Sequence, residues 1–469
     1  MLHALLALWL ALSAFVTSFL GLAPSELERV QERGELRVLT RHDPTTYYQG
    51  PNGPAGLEYE LARRFADHLG VRLELEVAAD YATILPRVER GELDVAAAGL
   101  AITPQRQRRL RFGPPYQSVH PQLVYRRGNA RPRDLNTLDD GVLEVLAGSS
   151  HAERLRALRA TYPRLQWRET SAQSTHELLN LVHEGLVDMT VANSHEVTLK
   201  QLYYPELQVA FEVGGPLLLA WAFPMGHDDS LVAAAREFFG ELERTGELEA
   251  LIERYYGHIK RLDYVSVHRF VRASYRQLPG YQRQFQDAAA DIGWDWRLLA
   301  AVAYQESHWD PAARSPTGVR GLMMLTLATA SLMGVADRLE PDQSIAGGSR
   351  YLEWVKRRIS RQVAEPDRTW LALAAYNVGL GHLEDARRLA REHGANPNRW
   401  ADVRRFLPLL SDEAWHSKTR HGYARGQEPV DYVENIRSYY DILVRLTEAR
   451  QLPEPALSLR ALHLEPAAL

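Results

Sequence analysis

A chain of 469 residues exceeds what one ordinary hydrophobic core organises, so two or three domains are expected. Its composition, 45% hydrophobic and 24% charged, is that of globular protein, and a formal charge of −4 gives no overall pull toward nucleic acid. The absence of cysteine excludes disulfides, thiolate metal sites, a cysteine nucleophile and a lipidated N-terminal cysteine, and leaves the redox compartment open.

Residues 1–23 carry no acidic, lysine or arginine side chain. A run this long and apolar reads as a signal peptide or a single membrane anchor. Its only nearby positive charge comes from the amino terminus and His3, and Pro24 after Ala23 hinders cleavage there, so both readings stay open. A buried core helix is the bland alternative, but such a helix rarely sits at an extreme terminus without a polar face. Export across the inner membrane is the expectation. No later segment has the length of a membrane span.

From 33 to 258 strand-like and helix-like runs alternate. Gly34 to Thr40 reads as a strand after a turn glycine. Gly56 to Gly70 reads as a helix, with Leu57, Leu61, Phe65 and Leu69 four residues apart. A strand (Arg72 to Ala78), a helix (Tyr81 to Arg90) and an apolar strand (Leu93 to Ile102) follow. A second set repeats the pattern: strand Val142 to Ala147, helix Ser174 to Glu184, strand Leu186 to Ala192. Both halves place a helix-ending glycine, then an aspartate, before a buried strand, at Gly91 and Asp94 and again at Gly185 and Asp188. Such joints are common in α/β proteins, but with the alternation they predict an α/β domain of two similar lobes.

The run Gly91 to Tyr116, GELDVAAAGLAITPQRQRRLRFGPPY, resembles family 3 of the bacterial solute-binding proteins. The resemblance implies a two-lobed, periplasmic-binding-protein-like domain, non-catalytic and regulatory. It also implies that Thr103 and Arg106 hold a ligand carboxylate, which suits the fork of a guanidinium. The bland reading makes Arg106 one more surface arginine beside Arg108, Arg109 and Arg111. Where the family has an aspartate for the ligand's amino group, this chain has Asn193. That departure favours a muropeptide or stem peptide over a free α-amino acid.

Helices Ser230 to Arg244 and Glu247 to Tyr256 close this domain. Residues 259–280 read as a linker, 281–450 as helix after helix, and 451–469, with three prolines, as a loose tail. Asp295 is placed to cap a helix from Trp296 to Gln305. Leu299, Val302, Ala303 and Glu306 share one face of it. Burial at the end of an apolar stripe would raise the Glu306 pKa and keep it protonated, as an acid catalyst needs; otherwise it lies past the helix in solvent.

Four short motifs bear on that choice: Glu306-Ser307, Gly321-Leu-Met-Met-Leu325, Ala375-Tyr-Asn377, and Tyr432 in DYVENI. In this order they resemble the lysozyme-like domain of family 1 lytic transglycosylases, which implies a mainly α fold. Met324 stands where many members have glutamine, and with the upstream domain it narrows the resemblance to one group. The resemblance implies that Glu306 is the sole catalytic residue. It cleaves the bond between N-acetylmuramic acid and N-acetylglucosamine and leaves 1,6-anhydro ends, in exo- or endo-fashion. Ser307, Met323, Met324, Tyr376, Asn377 and Tyr432 are the implied substrate-site residues, with the Tyr432 hydroxyl reaching Glu306; core packing is the bland use of the tyrosines and methionines. Gly318 and Gly321 suit a tight turn.

The histidines show no metal-ligand spacing, so no metal and no cofactor are expected. The expected partners are glycan strands and a membrane met peripherally, with no nucleic acid. By resemblance the place is the periplasm, at the inner face of the outer membrane; a retained N-terminus makes an inner-membrane tether compatible. Two other functions stay open: a cell-wall sensor with an inactive lysozyme-like domain, and a lysozyme-like hydrolase.

Overall fold

The computed structural model describes residues 24–449 apart from 51–52, 137, 139–140, 172–173, 227 and 260–263. The apolar run 1–23 and the tail 451–469 lie outside the described residues. No helix among the described residues is long and apolar enough to cross a membrane. The chain divides into two compact units, one formed by the chain up to Val197 with Gln208–Leu248, the other by Thr198–Leu207 and the chain from Glu249 onward.

The first unit holds two five-stranded sheets. One runs in the order Arg72–Val77, Glu35–Thr40, Val95–Ala96, Ala222–Phe223, Arg111–Phe112; its first three strands are parallel, and Ala222–Phe223 is antiparallel to its neighbours. The other runs Arg168–Thr170, Leu143–Leu146, Met189–Asn193, Pro121–Arg126, Leu207–Glu212, again with three parallel strands first. These are the two similar lobes that the alternation predicts. The repeated glycines do the same work in both: Gly91 and Gly185 take φ of 69° and 76°, turning the chain from helix toward strand.

The strand expected over Leu93 to Ile102 is only Val95–Ala96. Gly99, at φ 65°, breaks the extended run, and its N–H donates to the Glu58 carboxylate at 2.6 Å instead of to a neighbouring strand. Apolarity here marks burial, since Ala97, Ala98, Leu100 and Ala101 are buried outside any strand.

From Glu249 onward the chain is helical, with isolated bridges but no strand among the described residues. Its central helix, Trp296–Ser307, packs against Gln282–Ile292 and Gln427–Ala449. Leu299 to Ala303 are all fully buried, so the helix is enclosed on every side and has no single apolar stripe. The small side chains of Ala300, Ala301 and Ala303 let its neighbours close around it.

The expected linker is a correction to the boundaries read from sequence. Much of 259–280 forms the helix Tyr264–Arg276, whose Val267, Phe270 and Val271 are buried in the core of this unit. Phe270 lies against the rings of Tyr304, Trp309 and Tyr439, at centroid distances of 4.6, 5.6 and 4.5 Å. Its polar flanks, Arg269 and Arg272, hide in the sequence the stripe that this packing uses.

Candidate active site

Asp295 caps the central helix as predicted, its side chain accepting from the Arg297 N–H at 2.9 Å. The helix runs to Ser307, two residues past the predicted end, so Glu306 stands in its last turn rather than beyond it. Two consecutive residues then adopt left-handed backbone, His308 at φ 53° and Trp309 at φ 60°. Conformations of this kind cost non-glycine residues of order 1 kcal/mol or more each and need support. Trp309 supplies it: the indole is buried and its Nε1–H donates to the Ala300 carbonyl at 2.8 Å. The stop fixes where the Glu306 side chain emerges.

Glu306 is partly open to solvent, with its carboxyl set deep. Burial pushes that carboxyl up to about 7, against the lowering effect of a hydrogen bond from Tyr432. The Tyr432 hydroxyl donates to Glu306 Oε1 at 2.6 Å. Burial and the facing Glu306 charge hold the Tyr432 phenol well above its ordinary range, so it stays a donor. This geometry suits one group that gives and then regains a proton near neutral pH. Because the Tyr432 bond favours the carboxylate, Tyr432→Phe should raise the Glu306 pKa further and carry the alkaline limb of the kcat/KM profile upward, at a reduced rate. An unmoved limb would remove that bond from the working enzyme.

The glycine-led loop builds the wall. Gly321 takes φ 81°, and a Cβ there would lie 1.7 Å from the Arg338 carbonyl oxygen, so only glycine fits; Gly318, at φ 87°, closes the preceding turn from Ser315. Met324 is held at φ 46° and is partly exposed. Met323 corrects the expectation. It is fully buried, against Gly348 of the helix Pro341–Arg358, where a Cβ would fall 2.5 Å from the Met323 Cβ. Its backbone N–H donates to Ser344 Oγ at 3.2 Å, and its carbonyl accepts from the Tyr376 hydroxyl at 2.8 Å.

Ser307 also differs from expectation. Its buried hydroxyl donates to the carbonyls of Ala303 and Leu322, at 3.0 and 2.9 Å, and so ties the helix to the loop instead of facing a sugar. The Tyr376 ring stacks beside Tyr432 at 6.5 Å and leans on Tyr351 at 5.4 Å, its hydroxyl committed to Met323. Asn377 next to it is exposed. Sequence reasoning missed Ser344, Tyr351 and the glycine pair, none of which belongs to a quoted motif. Glycines adjacent within a helical run were the available signal.

The three residues proposed for ligand binding in the first unit also come near one another, through the helix Ser150–Leu158. Arg106 is buried, and its Nε donates to Glu153 Oε1 at 2.8 Å while the Thr103 hydroxyl donates to Glu153 Oε2 at 2.7 Å. The bland reading of Arg106 as a surface arginine does not hold. His151, on the same helix, meets Asn193 Oδ1 through Nε2 at 3.1 Å, and burial lowers its pKa, so it stands neutral. Beside them Arg41 pairs with Glu196 at 2.9 Å. Burial would raise the Glu196 carboxyl, but the guanidinium overrides it and holds it at about 2. Among the described residues no group of three or more His, Asp and Glu side chains is placed to hold a metal ion.

Comparison with known proteins agrees with both halves. Residues 36–258 match the family described as bacterial extracellular solute-binding proteins, family 3, and residues 283–398 match the transglycosylase SLT domain. Among solved structures, an ancestral arginine-binding protein bound to arginine aligns with 48% of this chain and 99% of its own, at 23% identity and a TM-score of 0.44. Membrane-bound lytic murein transglycosylase F 1 of Alkalilimnicola ehrlichii is 53% identical over 91% of this chain and 87% of its own length. Membrane-bound lytic murein transglycosylase F of Stutzerimonas stutzeri is 49% identical over 94% and 91%. With half of its residues shared across nearly the whole length of such relatives, the chain belongs to the membrane-bound lytic murein transglycosylase F family.

Proposed function

We propose that Glu306 carries out both proton transfers of murein cleavage in this chain. The chain is a lytic murein transglycosylase, a peptidoglycan-cleaving lyase. The observation that carries the assignment is a buried carboxyl raised to about 7 and hydrogen-bonded by Tyr432. Protonated Glu306 gives its proton to the oxygen linking muramoyl C1 to the next sugar, and the C1–O bond breaks toward that oxygen. The C6 hydroxyl of the same muramoyl residue then bonds to C1 and returns its proton to the carboxylate. The products are a 1,6-anhydro end and a free 4-hydroxyl, with no water consumed. One carboxyl suffices if the acetamido group of the sugar shields the developing cation, the substrate-assisted variant of glycoside chemistry. Met324, Asn377 and the ring of Tyr376 line the strand's path. Mass spectrometry of digested sacculi tests this: anhydro ends support it, hydrated reducing ends would make the enzyme a hydrolase, and intact strands would leave only a wall sensor.

The first unit fits ligand binding. A stem peptide placed there sets its carboxylate on Thr103 and Arg106 in place of Glu153, with Asn193 toward its amino end, and changes the rate of the lyase. The support is the match to solute-binding proteins together with a carboxylate already seated on that pair. A ligand must displace Glu153, so Glu153→Gln should tighten stem-peptide binding about tenfold, within the worth of a charge-assisted hydrogen bond. Calorimetry reads it. No binding at millimolar peptide to either protein would sink the sensor role, and binding without a rate change would reduce it to targeting.

The relatives' names speak of a membrane. We place this enzyme in the periplasm, at the inner face of the outer membrane. Density-gradient fractionation checks it, and recovery with inner-membrane markers would replace this placement with a tether through 1–23.

A further inference from the structure

The catalytic unit has a concavity of about 530 Å³ between the helix Leu380–Glu392 and the segment that follows His416. Its wall is built. The buried Asp385 accepts the backbone N–H groups of Arg420 and His421, at 3.1 and 2.7 Å, and so pins that segment against the helix. Gly381 keeps the floor open to the His421 ring, which a Cβ would approach to 2.7 Å.

The charges on this wall do not cancel. Asp385 holds backbone and faces Arg388 at 3.9 Å, and Glu384 pairs with Arg387 at 2.5 Å. Arg388 donates through Nη2 to the Lys418 carbonyl, while its buried Nε has no hydrogen-bond partner and lies 3.8 Å from Glu392. The guanidinium groups of Arg391 and Arg420 make no hydrogen bond or ion pair among the described residues, although both line the cavity and are exposed. A concave wall that offers two free planar forks is suited to carboxylates.

The position says whose carboxylates. Leu380, at the rim, is three residues beyond Asn377, so their Cα atoms are at most about 11 Å apart. Tyr376, one residue before, stacks on the tyrosine that bonds Glu306. A stem peptide of three to five residues spans roughly 10–18 Å extended. One hanging from a muramoyl sugar beside Glu306 is long enough to cover the step from Asn377 to the Leu380 rim.

We propose that this cavity is a subsite for the free carboxylates of the substrate's peptide stem, read by Arg391 and Arg420, which makes cleavage sensitive to whether the stem is present. The proposal rests on the murein lyase function given above. The test uses the full chain, wild type and the double variant Arg391→Gln/Arg420→Gln, on glycan strands with stems and on strands stripped of them by an amidase. The expected result is a roughly tenfold rise in KM on stem-bearing strands with little change in kcat, and unaltered cleavage of stripped strands, which also reports that the variant is folded. Wild type should show a similar preference for stem-bearing strands. An equal loss on both substrates, or no loss on either, would overturn the subsite while leaving the lyase intact. Failure of the wild type to cleave either strand would overturn both.

Discussion

Glu306→Gln should lower the release of soluble muropeptides from sacculi by at least about 10² to 10⁴-fold, the usual worth of one general acid–base group, because in the proposed mechanism one group serves both proton transfers. Glutamine keeps the shape and accepts the Tyr432 hydrogen bond but has no proton to transfer. Near-normal turnover would remove Glu306 from the mechanism. The same variant has a second, opposite signature in stability. The folded carboxyl titrates at about 7, above the 4.5 of an unperturbed one. Below pH 4.5 both folded and unfolded chains hold the proton. Between 4.5 and 7 the folded chain keeps a proton that the unfolded chain has released, so wild-type stability falls as pH rises through that window. Glutamine does not titrate. At pH 8 the variant should be more stable than wild type by about 1–3 kcal/mol, allowing for partial solvent access, and the difference should vanish near pH 4. Equal melting temperatures at pH 8 would mean that the carboxyl is not held in a desolvated place.

Phe270→Ala destabilises the catalytic unit by about 3–5 kcal/mol, the range for truncating a fully buried phenylalanine. Its ring touches Tyr304, Trp309 and Tyr439 together, and Trp309 sets the backbone turn directly after Glu306. The loss should therefore appear twice, as a thermal transition lowered by roughly 10 °C and as a drop in turnover at temperatures where the variant is still folded. A change below 1 kcal/mol would return this segment to the status of a linker. For the same reason a fragment beginning at 281 should fail to fold.

The contrast between Phe270 and Glu306 shows what the sequence exposes. Glu306, Tyr432 and the cap at Asp295 belong to contiguous motifs whose chemistry is local or whose order is distinctive, and the lobes of the first unit follow from alternation. Phe270 was hidden because its helix gains its partners from residues more than thirty and more than a hundred and sixty positions away. Met323 sat inside a legible motif yet proved to be buried, and Ser307 beside Glu306 ties the helix to the loop. A motif says that residues act together and not which of them points outward; here Met324 is partly exposed while Met323 anchors the loop to Gly348. Arg106 was legible as a carboxylate partner, but nothing nearby in sequence identified Glu153 as the carboxylate it holds.

Two adjacent glycines in the middle of the helix Pro341–Arg358 each weaken it by about 1 kcal/mol relative to alanine. Glycine-to-alanine replacement in helices is among the commonest routes to a sturdier enzyme. Here that route is closed, since a methyl group at Gly347 would meet Val335 at 2.2 Å and one at Gly348 would strike Met323. Heat-adapted relatives or engineered variants would have to find their added stability away from this notch, because filling it pushes Met323 off its bonds to Ser344 and Tyr376.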